Sequence, residues 1–289
     1  MSEWLVTSLE REAFAQEPGR SSSLPLPKQF PTHHQTETEM LLEGKTIIIT
    51  GASSGIGASA ARLFAAEGAR LVLGARRVDL LEKTVNEISA DGGEADFIAG
   101  DVEENGYAEA LVKRAEERFG GLDGAFNNAG TTGDIAPIPS MEESNWHRVM
   151  SVNLNSGFYA AKHQIPAMRK RGGGSIVFTS SFVGHTIGLP GMGAYAAAKA
   201  GLIGMTQVLA AEHGPENIRV NALLPGGTMT PMAGEDAGYH EIVRGFHALK
   251  RMADPSEIAR AALFLLSDYA SFVTGTAMIA DGGNSINKL

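Results

Sequence analysis

Seven short segments of this chain are apolar at neighbouring positions rather than at alternate ones: 45–50 (KTIIIT), 69–75 (ARLVLGA), 95–100 (ADFIAG), 122–128 (LDGAFNN), 175–181 (SIVFTSS), 218–224 (IRVNALL) and 277–281 (AMIAD). A strand with one face in water alternates apolar and polar residues. A strand apolar throughout needs cover on both faces, which is the habit of parallel sheets. Helical patterns fall between these segments, after the glycine-rich turn at 51–57 and at 78–90, 105–119, 142–169, 194–213 and 254–268. The last opens with Asp254 as N-cap, Pro255 at the first helical position and Glu257 two residues on, a strong start signal. Alternating strands and helices predict an α/β fold, a doubly wound, mostly parallel seven-stranded sheet with helices on both faces. Ligands of such a sheet bind beyond the carboxyl ends of its strands.

The pattern begins near Met40 and shows no internal linker, so 40–289 is expected to be one catalytic domain. The stretch before it, 1–39, is polar and proline-rich after an initial short helical pattern, and reads as a disordered arm. Its paired His33 and His34 have no further ligands at useful spacing, and no acidic pair elsewhere points to a metal. The chain carries a net charge of −9 and no cysteine. That charge gives no support to a nucleic-acid surface, and the lack of thiols removes disulfides and cysteine nucleophiles. No apolar run approaches the roughly 18–20 residues of a membrane helix, so a cytoplasmic protein without a membrane partner is expected.

The first strand runs into Thr50-Gly51-Ala52-Ser53-Ser54-Gly55-Ile56-Gly57 and then a helix. Glycines at this junction allow a tight turn and close backbone approach to a diphosphate, and the helix N-terminus adds free N–H groups. Tyr195 and Lys199 stand one helical turn apart within GMGAYAAAKAGLIG, among small residues. An ammonium near a phenol favours phenolate, and small neighbours leave room for a substrate and a flat ring. The residue ending the second strand usually selects between dinucleotides through a carboxylate. Here that place holds Arg76, with Arg77 next. A guanidinium suits a phosphate, so NADP is favoured over NAD.

The Gly-x3-Gly-x-Gly spacing, Asp101-Val102, Asn127-Asn128-Ala129-Gly130, Asn153 in SVNLNSGF, the serines ending the fifth strand, Tyr195-x3-Lys199 and Pro225-Gly226 occur in one order. With these the sequence resembles the short-chain dehydrogenase/reductase family, in its single-domain branch with a Rossmann-type fold, from about 42 to 285. The resemblance implies hydride transfer between a nicotinamide and a carbonyl or secondary alcohol. It makes Tyr195 the general acid/base, Lys199 the residue that lowers its pKa and contacts the nicotinamide ribose, and Asn153 a relay residue holding a water. Ser181 becomes the binder of the substrate oxygen. The family usually places that serine thirteen residues before the tyrosine, where this chain has Phe182, so Ser180 stays open as the alternative. The cofactor is expected at Gly51, Ser53, Ser54, Gly55, Ile56, Gly57, Arg76, Arg77, Asp101, Val102, Asn127, Ala129, Gly130, Tyr195, Lys199, Pro225, Gly226, Thr228 and Thr230, with Asp101 at the adenine and Asn127 at the adenosine ribose. A homotetramer or homodimer is implied as well. Within the variable stretch 231–250, Met232, Tyr239, His240, Phe246 and His247 can line a pocket or pack a lid, and His185 can reach a substrate. The competing reading is a non-catalytic dinucleotide sensor on the same fold, which has no need of a proton donor.

Overall fold

The computed structural model describes residues 40–287. The expected arm and His33–His34 lie outside the described residues. The chain runs β1 (Thr46–Thr50), α1 (Gly55–Ala66), β2 (Arg70–Ala75), α2 (Val78–Ala90), β3 (Glu94–Ala99), α3 (Asn105–Phe119), β4 (Gly124–Asn127), α4 (Glu143–Met150) and α5 (Ser156–Lys170). It continues through β5 (Gly174–Thr179), α6 (Gly193–His213), β6 (Ile218–Pro225), α7 (Ala237–Phe246), α8 (Pro255–Leu266) and β7 (Ala277–Ala280). All seven strands are parallel, in the order β3-β2-β1-β4-β5-β6-β7.

The continuous apolar strands follow from cover on both sides. In β1, Ile47 and Ile49 enter a core with Phe64 of α1, Leu81 of α2 and Ile258 of α8. Ile48 points the other way, into a core with Leu111 of α3, Ile165 of α5 and Leu202 of α6. Each fully buried side chain of this size stabilises by about 1.5–3 kcal/mol. β3 departs from the pattern because it is the edge strand, and both of its ends are exposed. α8 starts as its sequence requires: Asp254 accepts from Ser256 N at 2.8 Å, and Glu257 accepts from Asp254 N at 2.9 Å. No helix of the described residues is long and apolar enough to cross a membrane.

One expectation changes. The stretch read as a single helix over 142–169 is α4 and α5 joined by a wider π-helical turn at Ser151–Asn155. Asn153 lies in that turn. The chain stays helical through a π turn, and no glycine or proline within 151–155 marks it in the sequence.

The chain leaves β1 on one side toward β2 and later returns to β4 on the other. Thr50 and Asn127, at the carboxyl ends, are register partners across this switch point. The glycine-rich turn and the 127–130 turn both leave from there, and open sheets bind ligands at such a crevice.

Candidate active site

The glycine-rich turn is shaped as a cradle. Gly51 and Gly55 have φ of +69° and +55°, and a Cβ on Gly57 would strike the Gly51 carbonyl oxygen. Ser54 stands at the N-cap of α1 without a capping side-chain bond, and no acidic residue occupies the first turn. The N–H groups of Gly55, Ile56 and Gly57 are therefore left for an anion. Thr50 Oγ1 accepts from the backbone of Asn128 and Ala129 at 3.1 and 3.2 Å, which locks the neighbouring turn to the cradle. Thr230 lies against Gly55 from the far side. A diphosphate fits this donor set, so the residues present suit a dinucleotide.

Arg77 reaches back from the end of β2 onto this turn. Its Nη2 donates to Ser53 Oγ and Ser54 Oγ, both at 2.8 Å. Arg76 Nη1 lies 3.8 Å from Asp101 Oδ2, and Asp101 Oδ1 also accepts from Glu103 N at 3.1 Å. Val102 is half-buried and packs on the second core. The Asn127 side chain is directed elsewhere. It exchanges hydrogen bonds with Gln164 of α5 at 2.9 and 3.0 Å, so only its backbone is left to face a nucleotide.

Lys199, Tyr195, Asn153 and Gly130 converge near the carboxyl end of β5. Lys199 is buried, and its Nζ donates to the Thr179 carbonyl at 2.6 Å. The same ammonium lies 5.6 Å from the Tyr195 ring centroid. A Cβ on Gly130 would come within 2.9 Å of Asn153 Oδ1 and 3.3 Å of Lys199 Nζ, which places all three together. Asn153 Nδ2 donates to the carbonyls of Thr131 and Val149 at 2.8 and 2.9 Å, and its Oδ1 accepts from Thr131 N at 3.1 Å. Its side chain thus pins the 130–131 backbone beside the lysine.

Burial sets the electrostatics here. It pushes the Tyr195 phenol above its ordinary value, and the Ser181 hydroxyl beside it works in the opposite direction. It also lowers Lys199 to about 7. A Lys199 ammonium this close to the phenol favours phenolate, in opposition to burial.

The serines separate by what they touch. Ser180 Oγ donates to the Lys199 carbonyl at 2.7 Å, a structural bond to the backbone of α6. Ser181 Oγ accepts from Val183 N at 3.1 Å, which leaves its own proton free, and lies next to the Tyr195 hydroxyl. Beyond them the chain makes a tight turn. There Phe182 O accepts from His185 N and Thr186 N at 3.1 and 2.9 Å, and Val183 bridges to Ile187. Ser181→Ala is expected to lower turnover by about 10²-fold with the fold intact. Ser180→Ala should leave most turnover and cost about 1 kcal/mol of stability. Initial rates and melting curves of both variants check this, and the reverse pattern would move the assignment to Ser180.

Pro225 ends β6, and Gly226 N bonds Ala280 O at 3.0 Å. Thr228 Oγ1 is turned inward to the Gly226 carbonyl at 3.0 Å. Of the candidates in 231–250, Met232, Tyr239 and Phe246 are exposed, whereas His240 and His247 are buried. His185 is exposed on its turn. Sequence reading passed over Ile135 and Ile138. Both are more than half exposed and lie against Gly191 and Gly193, just ahead of Tyr195 in the chain. Their loop has no periodic signal that would have marked them.

Together these side chains can hand a proton to an oxygen, or take one from it, beside a dinucleotide. That defines the class, a nicotinamide-dependent oxidoreductase. Known proteins agree. A family model described as enoyl-(acyl carrier protein) reductase matches residues 51–285. A 2,5-dichloro-2,5-cyclohexadiene-1,4-diol dehydrogenase of Sphingobium indicum is 41% identical over 247 residues, covering 84% of this chain and 97% of that one. A cyclohexanol dehydrogenase of an Acinetobacter species is 40% identical over 238 residues, covering 82% and 94%. The crystal structure of a short-chain type dehydrogenase/reductase from Mycobacterium marinum superposes with a TM-score of 0.82 at 33% identity, covering 86% and 98%. The chain belongs to the short-chain dehydrogenase/reductase family. It is an NAD(P)-dependent oxidoreductase acting on alcohols or ketones, and these relatives lend nothing to the non-catalytic sensor.

Proposed function

We propose that the protein interconverts an uncharged cyclic secondary alcohol and its ketone, with NADP(H) as the favoured cofactor and Tyr195 as the acid/base. The observation that carries the chemistry is the convergence of Ser181, Tyr195 and Lys199 beside Asn153 and Gly130. The cyclic, uncharged substrate rests on the names of the two dehydrogenases above, and on the exposed apolar side chains Ile135 and Ile138 packed against Gly191 and Gly193 at the start of the helix that carries Tyr195. When bound, the dinucleotide supplies or accepts the hydride. Ser181 donates its free proton to the substrate oxygen and orients it. Tyr195 gives that oxygen a proton in reduction and removes it in oxidation. Lys199, anchored on Thr179, stands where charge on the phenol can be balanced, and Asn153 holds the turn that carries Gly130. The cradle, Arg76, Arg77, Asp101, Val102, Ala129, Gly130 and the segment from Pro225 to Thr230 hold the dinucleotide.

The preference for NADP(H) rests on Arg77. Its guanidinium is carried across the cradle by two serine hydroxyls, and no carboxylate stands at position 76 to bind a ribose 2′-hydroxyl. Side-by-side fluorescence titrations of NADPH and NADH test this reading. NADPH is expected to bind more tightly. Replacing Arg76 and Arg77 by alanine should cost NADPH about 10–100-fold and NADH little, the worth of charge-assisted bonds to one phosphate. Tighter NADH binding by the parent would remove the phosphate role.

Assembly into a dimer or tetramer belongs to the same proposal. Phe158 on α5, Val208 on α6 and Phe272 ahead of β7 leave apolar surface in water, and a monomeric mass in solution would discard the idea. A dinucleotide-dependent enzyme works where its cofactor pool lies, which favours the cytoplasm; cell fractionation checks this.

A further inference from the structure

His247 caps the C-terminal end of α7 and is 2% exposed, although it has no part in the cluster around Tyr195. Its Nδ1 lies 2.7 Å from the Val243 carbonyl, and its Nε2 lies 3.0 Å from the Gly227 backbone nitrogen. These partners leave one tautomer. A carbonyl only accepts, so Nδ1 carries the proton. A backbone N–H only donates, so Nε2 is bare. Both ring nitrogens are in use.

Three glycine backbones close around the imidazole. A Cβ on Gly226 would lie 2.9 Å from Nε2, one on Gly227 2.8 Å from Cε1, and one on Gly282 3.2 Å from Cδ2. Main-chain bonds tie the same segment elsewhere. Gly226 N donates to Ala280 O at 3.0 Å, Ala253 N to Gly227 O at 2.9 Å, and Met229 N to Ala253 O at 2.9 Å. Among the donors these leave over, Gly227 N–H is the one His247 accepts.

We propose that His247 is a positioning residue for the dinucleotide. Its Nε2 sets the backbone of Gly226–Gly227 within the segment proposed above to hold the dinucleotide, and its Nδ1 couples that backbone to α7. This rests on the dinucleotide reading above. Without the acceptor, a buried N–H is left unpaired, and a glycine pair is free to turn and find another partner.

Two substitutions divide the imidazole's functions. His247→Gln carries an amide oxygen out to the place of Nε2, where it accepts from Gly227. His247→Asn reaches only to the place of Nδ1, so it can donate to Val243 but leaves Gly227 N–H bare. Three readouts apply: fluorescence titration with NADPH and with NADH, the dinucleotide KM against kcat, and hydrogen exchange at the Gly227 amide in the free protein. His247→Asn is expected to weaken the tighter dinucleotide about tenfold, the scale of one lost buried bond. It should raise the dinucleotide KM with kcat within about twofold, and speed exchange at Gly227. His247→Gln should stay within about threefold of the parent in affinity and keep Gly227 protected. Equal loss in both variants, or lower melting temperature with unchanged dinucleotide affinity, would reduce His247 to packing and overturn the proposal. If the parent bound neither dinucleotide, the reading beneath the proposal would fail instead. Gly227 exchange separates the cases because it needs no cofactor.

Discussion

Tyr195→Phe is expected to lower turnover by about 10²–10⁴-fold, the usual worth of a positioned acid or base. Dinucleotide affinity should stay within about threefold, because phenylalanine keeps the ring and removes only the hydroxyl. Burial raises the phenol, so it remains protonated through neutral pH, the form that gives a proton to a carbonyl oxygen under reduction. Alcohol oxidation needs the phenolate. It should therefore climb as pH rises into the alkaline range, while reduction does not. Initial rates in both directions across pH, for parent and variant, measure this. Turnover surviving in Tyr195→Phe would take the residue out of the mechanism.

Lys199→Met is expected to damage activity while relieving a stability cost. Burial takes the lysine from 10.5 to about 7 in the folded protein. Between those values the unfolded chain holds a proton that the folded chain lacks, so the parent's stability rises with pH over that window. The penalty is fully present below about 7, and at about 1.4 kcal/mol per unit it amounts to several kcal/mol. Methionine removes the charge and forfeits the bond to Thr179, a loss of about 1–3 kcal/mol. At neutral pH the variant should melt no lower than the parent, and the parent should gain on it steadily toward pH 10.5. Turnover should fall by about 10²-fold or more. Melting curves of both proteins across that window decide it. A stability difference that does not change with pH would show that Lys199 folds with its charge undiminished.

These effects mark how far the residue pattern reached. Period and turn chemistry are local, and they delivered the seven strands, the capped start of α8 and the glycine cradle, because burial on both sheet faces demands consecutive apolar residues and a tight turn demands glycine. Asn153 was legible as a candidate, but the π turn that holds it was not, since no glycine or proline within 151–155 marks it. Sequence resemblance favoured Ser181 and left Ser180 open. In the fold they part because one hydroxyl bonds the Lys199 backbone and the other faces Tyr195. The same holds along 231–250, where His247 looked no different from Tyr239 until the fold buried one and exposed the other.

The amino-acid sequence by itself determined the doubly wound sheet, the end of it where ligands bind, and the family resemblance that nominated Tyr195 and Lys199. Tertiary structure alone decided how those groups hold their protons and which neighbours they touch. Arg77 meets Ser53 and Ser54, Lys199 meets Thr179, and His247 meets Gly227, each across some twenty residues of chain. Desolvation and hydrogen-bond partners are set by what packs around a group from other elements. No local pattern encodes that.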